Sequence, residues 1–403
     1  MTPVIKMKKY ISNRQKIYSI LFLVFAYGCD TVLLPLCLQD IVSAFSLESA
    51  STGSMSSMMS IGGAVALILS LFLQGRLRKN LLLPFAGLLS AVSLFCIGVS
   101  PLYYLLIIAF LVLGFGNGFM DTVANSYVVD LAGDTREKFL GMLHGLYSVA
   151  CLIAPLLLRL ILRTGKWRNT YYSISALLLL ASILLYFICK EKTADNSSFS
   201  ETRSVVTEDR LSFSNLKEFL SSHRSLMLMA VFACYCASQN SLVLWVVSYV
   251  SVTLKAPAMS AIALSVYWGC SATSRFIIPN IKIPTINKII TSLFAAFIFY
   301  MAGTIQNNPV FMILAVGLVG LCNGHIIPSL IGTGASWYPG KSTMVTSSMM
   351  LLTFFINTIM PLIMGALAES FGFRVNMLVS ASFLPLGAVF ALLLSRYLKN
   401  SSV

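Results

Sequence analysis

Apolar residues in this chain come in long runs separated by short polar stretches. A bilayer core of about 30 Å takes about 20 helical residues to cross. Runs of that order recur twelve times, over residues 16–38, 51–75, 81–99, 102–130, 139–163, 170–189, 225–253, 258–280, 284–304, 309–334, 343–368 and 374–397. The pattern predicts an all-α membrane protein with twelve transmembrane helices. One polar stretch is longer than the rest, "KEKTADNSSFSETRSVVTEDRLSFSNLKEFLSSHR" at residues 190–224. It divides the chain into a six-helix bundle at 1–189, a linker loop at 190–224 and a second six-helix bundle at 225–403.

The two halves carry a repeat. Shifting the sequence by 206 residues places Gly114, Asn117, Gly118, Pro155 and Arg168 on Gly320, Asn323, Gly324, Pro361 and Arg374. Matched leucines mean little in an apolar background, but an Asn-Gly pair, a helix proline and an arginine 13 residues beyond that proline recur at one offset. Because the offset spans an even number of helices, the halves point the same way through the membrane, related by an axis along its normal. Such parallel halves are described for the major facilitator fold, whose substrate site lies near the midplane between them.

Composition agrees with the run pattern. The chain is 57% hydrophobic with a mean hydropathy of +0.85, and only 10% of it is charged, against about 25% in soluble domains. A net charge of +14 would suit nucleic acid if it were clustered on a soluble surface, but it is not. With the N-terminus inside, 22 of the 28 Lys and Arg fall on cytoplasmic segments, and only Arg159, Arg163, Lys166, Arg168, Lys255 and Arg374 fall outside. That asymmetry places both termini in the cytoplasm of a multi-pass cell-membrane protein, as in a bacterial inner membrane, and excludes a nucleic-acid partner. The nine cysteines lie in apolar runs without metal-site spacing and read as small core residues. "MKKYISNRQK" precedes a run of more than 20 residues with no small-residue cleavage site, so it reads as the start of a retained helix. The sequons at Asn196 and Asn400 fall on predicted cytoplasmic segments.

Four Asp and His residues sit inside predicted spans short of their ends: Asp30 in the first, Asp121 in the fourth, His144 in the fifth and His325 in the tenth. A charge at the bilayer centre costs about 2.5 to 3.5 kcal/mol on insertion scales, so such residues face protein or water and commonly serve a pathway. Asp121 lies in "GFGNGFMDTVANSYVVDL", with Asn117 four residues before it and Asn125 four after, on one helix face. The glycines of that stretch allow a neighbouring backbone to approach. The plainer alternative is a polar staple between two helices. An apolar setting disfavours the charged carboxylate, so Asp121 is a candidate proton carrier. Asp30, five residues before Pro35, is the second. His144, Tyr147 and Ser148 form a polar group on the fifth span. His325, Asn323, Gln239, Asn240, Trp245, Trp268 and Asn357 offer uncharged donors, acceptors and aromatic faces for a cavity. No phosphate loop, metal-ligand motif or nucleophile elbow occurs. The chain is therefore read as neither an enzyme nor an ATP-driven pump, with no catalytic residue, metal or cofactor.

Several stretches resemble the fucose, glucose and galactose:proton symporter branch of the major facilitator superfamily, of fucose permease type. They are "DTVLLP" at 30–35, "GNGFMDTVANSYV" at 116–128, "KFLGMLHGLYSVACLIAP" at 138–155, Trp167 with Arg168, and "YWGCSATSRF" at 267–276. The resemblance implies that Asp30 and Asp121 serve proton coupling or sugar recognition. The chain departs from the branch at Gln239, where related carriers often place a glutamate, and at Ser148, near an asparagine of the fucose permease. The superfamily signature between the second and third spans is reduced to the basic "GRLRK" at 75–79.

The expected function is secondary active transport by alternating access: a monomer in the lipid bilayer carrying a monosaccharide or similar small polar solute together with protons, or sodium in their place. A proton-coupled exporter of drugs or metabolites on the same fold is the runner-up. A non-transporting receptor is the rival from another class.

Overall fold

The computed structural model describes residues 3–72, 78–132, 135–190, 219–338 and 341–400. Most of the 190–224 stretch, and "GRL" of "GRLRK", lie outside the described residues. Every regular element described is helical: α1 Pro3–Thr31, α2 Leu33–Phe45, α3 Ser49–Phe72, α4 Lys79–Val99, α5 Tyr103–Ala132, α6 Arg136–Leu162, α7 Arg168–Lys190, α8 His223–Ser248, α9 Pro257–Ile277, α10 Thr285–Ile305, α11 Pro309–Asn323, α12 Ile326–Trp337 and α13 Ser342–Asn400. A π-helical turn, Tyr249–Thr253, extends α8.

Eleven helical runs among the described residues are long and apolar enough to cross a membrane. The last, Met344–Asn400, has 57 residues. At 1.5 Å per residue it would measure about 85 Å as one rod, far beyond a bilayer core of about 30 Å. It breaks at Gly372, whose φ of 80° and ψ of 165° are non-helical and open to a residue without Cβ. The eleven runs thus hold the twelve spans expected.

Prolines explain two further interruptions. A proline has no N–H to give the carbonyl four residues back, and its ring crowds that carbonyl. Pro35 acts on Thr31, where α1 stops. Pro328 acts on Gly324, and the chain leaves the helix at Gly324 and His325 before α12 begins.

The chain divides into two compact units, Met1–Leu33 with Met58–Ser204, and Leu34–Ser57 with Val205–Val403. In the first, α4 packs against α5 and α7, and α1 against α6, α7 and α5. In the second, α8 packs against α13, α9 against α11, and α10 against α11 and α13. Residues 34–57 are held to this unit by side-chain bonds. The Gln39 amide donates to the Ser248 hydroxyl at 2.9 Å, and the Ser57 hydroxyl to the Thr358 carbonyl at 2.6 Å.

The repeated arginines do the same work in each unit. Arg168 donates from Nε to the Gly98 carbonyl and from Nη2 to the Ser100 carbonyl, both at 3.0 Å. Arg374 donates from Nη2 to the Ile305 carbonyl at 2.7 Å. Each closes the C-terminal end of a helix, α4 or α10, where carbonyls lack intrahelical donors.

Candidate functional site

The polar stripe of α5 meets α1 at two levels. Asn117 donates from Nδ2 to the Asp30 carboxylate at 2.7 Å, and one turn further along α5 the Asp121 carboxylate accepts from the Tyr27 hydroxyl at 2.9 Å. On α1, Tyr27 and Asp30 are three residues apart, so both face α5. The Ser90 hydroxyl of α4 donates to Asn117 Oδ1 at 2.9 Å, completing a relay from α4 through α5 to α1. Asp30 and Asn117 are buried, whereas Asp121 is exposed. One carboxylate is therefore enclosed by neutral groups and the other is accessible. Among the described residues neither has a cationic partner; the ion pair of this bundle joins Lys79 to Asp130 at 2.7 Å, at the end of α5.

Glycines bring these groups together. A Cβ on Gly114 would lie 1.8 Å from the Met59 carbonyl oxygen, and one on Gly118 would lie 2.9 Å from the Gly63 Cα. α5 and α3 touch backbone to backbone there, in the manner of small residues one turn apart in membrane helices.

The other predicted residues of this unit lie around that core. The Tyr147 hydroxyl donates to Thr31 Oγ1 at 3.1 Å, and its ring stands 5.5 Å from that of Tyr27. Ser148 donates to the His144 carbonyl at 2.9 Å, and the His144 side chain is exposed. Asn125 turns back on its own helix, donating to the Asp121 backbone carbonyl at 2.7 Å. Tyr27, Thr31 and Ser90 are members of the constellation that the sequence reading missed. Tyr27 stands one turn before Asp30, which is a usable signal; nothing distinguishes Ser90 from the other serines of its span.

In the second unit the predicted residues do not form one cluster. Asn240 donates to the Asn357 side-chain oxygen, joining α8 to α13, and both residues are half-buried. Gln239 is buried beside Asn240 on α8, and Trp268 on α9 stands edge-on to Tyr267 at 5.6 Å. Trp245, Asn323 and His325 are buried in the bundle at 1% exposure or less. Trp245 packs against Phe373 at 5.7 Å. The Asn323 backbone carbonyl accepts from the Tyr235 hydroxyl at 3.1 Å, while among the described residues its side-chain Oδ1 and both His325 ring nitrogens lack partners in good geometry. From Ser225 to the end the sequence has one acidic residue, Glu369, so helices α9 to α13 carry no carboxylate in a polar stripe like that of α5.

Residues 20–288 match the family described as Major Facilitator Superfamily. The chain belongs to this superfamily. Its members are transporters, and the chain is accordingly a multi-pass membrane protein with a transporter fold. Over 183 residues it is 26% identical to the "Multidrug resistance protein MdtL" of Shewanella sp. (strain ANA-3), a match covering 45% of this chain and 46% of that protein. The matched region thus spans about half the length of that relative. Among solved structures, a bacterial homolog of the human lysosomal transporter Spinster, in its inward-facing and unoccupied conformation, aligns with a TM-score of 0.79 at 15% identity, covering 96% of this chain and 97% of that one. The nucleoside transporter NupG aligns at 0.75 and 14% identity, over 96% and 99% of the two chains. The superfamily transporter FucP, in its outward conformation, aligns at 0.64 and 16% identity over the same shares. At these identities the likeness is one of fold.

Proposed function

We propose that this protein is a proton-coupled secondary transporter that carries a monosaccharide or a similarly small polar solute by symport across the cytoplasmic membrane. The observation that carries the reading is the pair of carboxylates on α1 and α5, Asp30 and Asp121, each held by a neutral donor and, among the described residues, neither by a cation. A carboxylate balanced by Lys or Arg stays ionised. One held by an amide or a phenol in an apolar bundle can take a proton and become a donor itself. Asp121, being exposed, exchanges the proton with water. Asp30, buried and tied through Asn117 to Ser90, responds to that change through α1, whose helix ends one residue later.

Uncharged amides support a solute with hydroxyl groups. Asn125 beside Asp121 in one unit, and Gln239, Asn240 and Asn357 in the other, each donate and accept, and hydroxyls do the same. Orientation follows from the basic-residue asymmetry, with both termini and residues 190–224 cytoplasmic; an introduced Ser198→Cys is then labelled by an impermeant thiol reagent only from the inner face. A second reading, export of drugs or metabolites, draws on the relative whose name is a multidrug resistance protein.

Uptake into proteoliposomes distinguishes the two. With an inward proton gradient, labelled fucose, glucose, galactose and mannose are compared with and without a protonophore. Protonophore-sensitive accumulation of at least one is expected. No uptake of any, with protonophore-sensitive movement of a lipophilic dye, would establish the exporter instead.

A further inference from the structure

α4 and α7 run antiparallel, pinned together by the Ser175 hydroxyl, which donates to the Ala91 carbonyl at 2.7 Å. Beyond that contact, between the start of α4 and the end of α7, lies a groove of about 810 Å³, within the range of about 300 to 1,000 Å³ typical of small-molecule sites. Its floor is made by small residues: buried Pro84 and Ser182, the latter crowding Gly87 on the facing helix. The large side chains Leu81, Phe85, Ile183 and Phe187 stand along it, each more than 40% exposed.

The ends of the α4–α7 seam differ in charge. At one, Arg78 lines the groove and is exposed, and the Lys190 ammonium sits 5.8 Å from the ring centroid of Tyr186, which also lines it. Lys79, next to Arg78, is engaged by Asp130. At the far end of the same helix pair the arginine is occupied, since the Arg168 guanidinium binds the Gly98 and Ser100 carbonyls. An apolar trough with cations at one end fits an amphiphile with an anionic head and a hydrocarbon tail. A lipophilic cation would be repelled at Arg78, whose exposed guanidinium favours an anionic head over a neutral one.

We propose that this groove binds an anionic phospholipid, with an acyl chain along Phe85 and Ile183 and the phosphate held by Arg78 and Lys190. The guanidinium fork suits phosphate oxygens. In the orientation proposed above, the lipid comes from the cytoplasmic leaflet, where anionic headgroups are drawn to basic residues at helix ends. The site is separate from the carboxylate pair, and its occupancy is read without any transport assay. Failure of the coupling reading therefore leaves it intact, and its own failure leaves the coupling reading intact.

Native mass spectrometry and thermal unfolding of the full chain in neutral detergent test it, using dioleoyl phosphatidylglycerol against dioleoyl phosphatidylcholine, which differ only in the head. The parent should bind the anionic lipid at least about fivefold more tightly and gain more thermal stability from it. Arg78→Gln and Lys190→Gln should each weaken anionic binding about fivefold, the effect of about one basic residue at a membrane surface. The double variant should lose the preference. Both positions are exposed, so melting of the lipid-free variants should match the parent. Leu88→Trp, which fills the groove, should weaken both lipids. Equal binding of the two lipids by the parent would overturn the proposal. So would an undiminished preference in the double variant, which would move the anionic site elsewhere, such as the basic N-terminal segment.

Discussion

The stretch "GFGNGFMDT" at 114–122 in α5 and its repeat "GLCNGHIIP" at 320–328 across α11 and α12 begin alike and end differently. Both use their paired glycines to seat another helix. Gly114 and Gly118 take the backbone of Met59 and Gly63, and Gly320 and Gly324 take the Tyr267 and Ser271 carbonyls at 2.4 and 2.0 Å from where a Cβ would stand. Beyond the Asn-Gly pair they diverge. Thr122 keeps α5 continuous and its hydroxyl donates to the Gly118 carbonyl at 2.9 Å. Pro328 stands at the matching place and ends the helix, and the Gly324 carbonyl it releases accepts from Arg275 Nε at 3.3 Å. Asp121 is matched by Ile327. The repeat therefore conveys packing to both halves and an ionisable group to one. A repeated motif is a guide to how helices touch, and a poor guide to which half carries a proton.

The strongest test of that asymmetry removes the carboxylates. Asp121→Asn and Asp30→Asn each keep shape and hydrogen-bonding capacity but cannot carry a proton. Proton-driven accumulation in proteoliposomes should fall to the equilibrium level in each, while at least one still exchanges solute, and adding Ile327→Asp should not restore accumulation. If both Asn variants accumulate solute like the parent, the carboxylates are staples and the two halves are equivalent.

A smaller effect concerns helix continuity. Thr122→Pro places a proline inside α5 and should cost about 3 kcal/mol or more, read as a large fall in thermal midpoint in detergent. Pro328→Thr should change stability by about 1 kcal/mol at most, because Gly324 exchanges the Arg275 bond for an intrahelical one. Equal losses for the two substitutions would mean that Thr122 and Pro328 are not the residues that set the difference.

The smallest concerns the repeated asparagines. Asn117→Leu leaves Asp30 and Ser90 without their shared partner and should cost about 1 to 3 kcal/mol. Asn323→Leu removes a side chain whose Oδ1 is already unsatisfied and should lie within about 1 kcal/mol of the parent. Thermal unfolding of both in parallel is the check, and a larger loss at Asn323 would reverse the assignment of which asparagine is bonded.

Much of the membrane architecture was legible in the sequence because span length and hydropathy are local properties. The helix ends at Thr31 and Asn323 were not: the apolar runs 16–38 and 309–334 pass through both, although Pro35 and Pro328 stand four and five residues on. Of the polar stripe, Asp30, Asn117 and Asp121 were legible as residues too costly to leave facing lipid. Their partners were not. Tyr27 and Ser90 join only because α1 and α4 happen to flank α5 with those faces turned inward. Asn125, on the same face as Asp121 by spacing, binds the carbonyl four residues back on its own helix instead. His325 and Trp245 read as cavity-lining by residue type, yet both are enclosed within a bundle.

By itself the sequence determined the number of spans, the repeat and the confinement of intramembrane carboxylates to the first half. Each follows from interactions within about one helical turn, or from the cost of placing a given side chain in hydrocarbon. The tertiary structure alone decided that Asp30 is buried and bonded to Asn117, that Asp121 is accessible and bonded to Tyr27, and that the repeated arginines close the ends of neighbouring helices. Those bonds join residues about 70 to 95 positions apart. Their formation depends on which helices are neighbours and how each is rotated about its axis, and a pattern read along one chain does not contain that information.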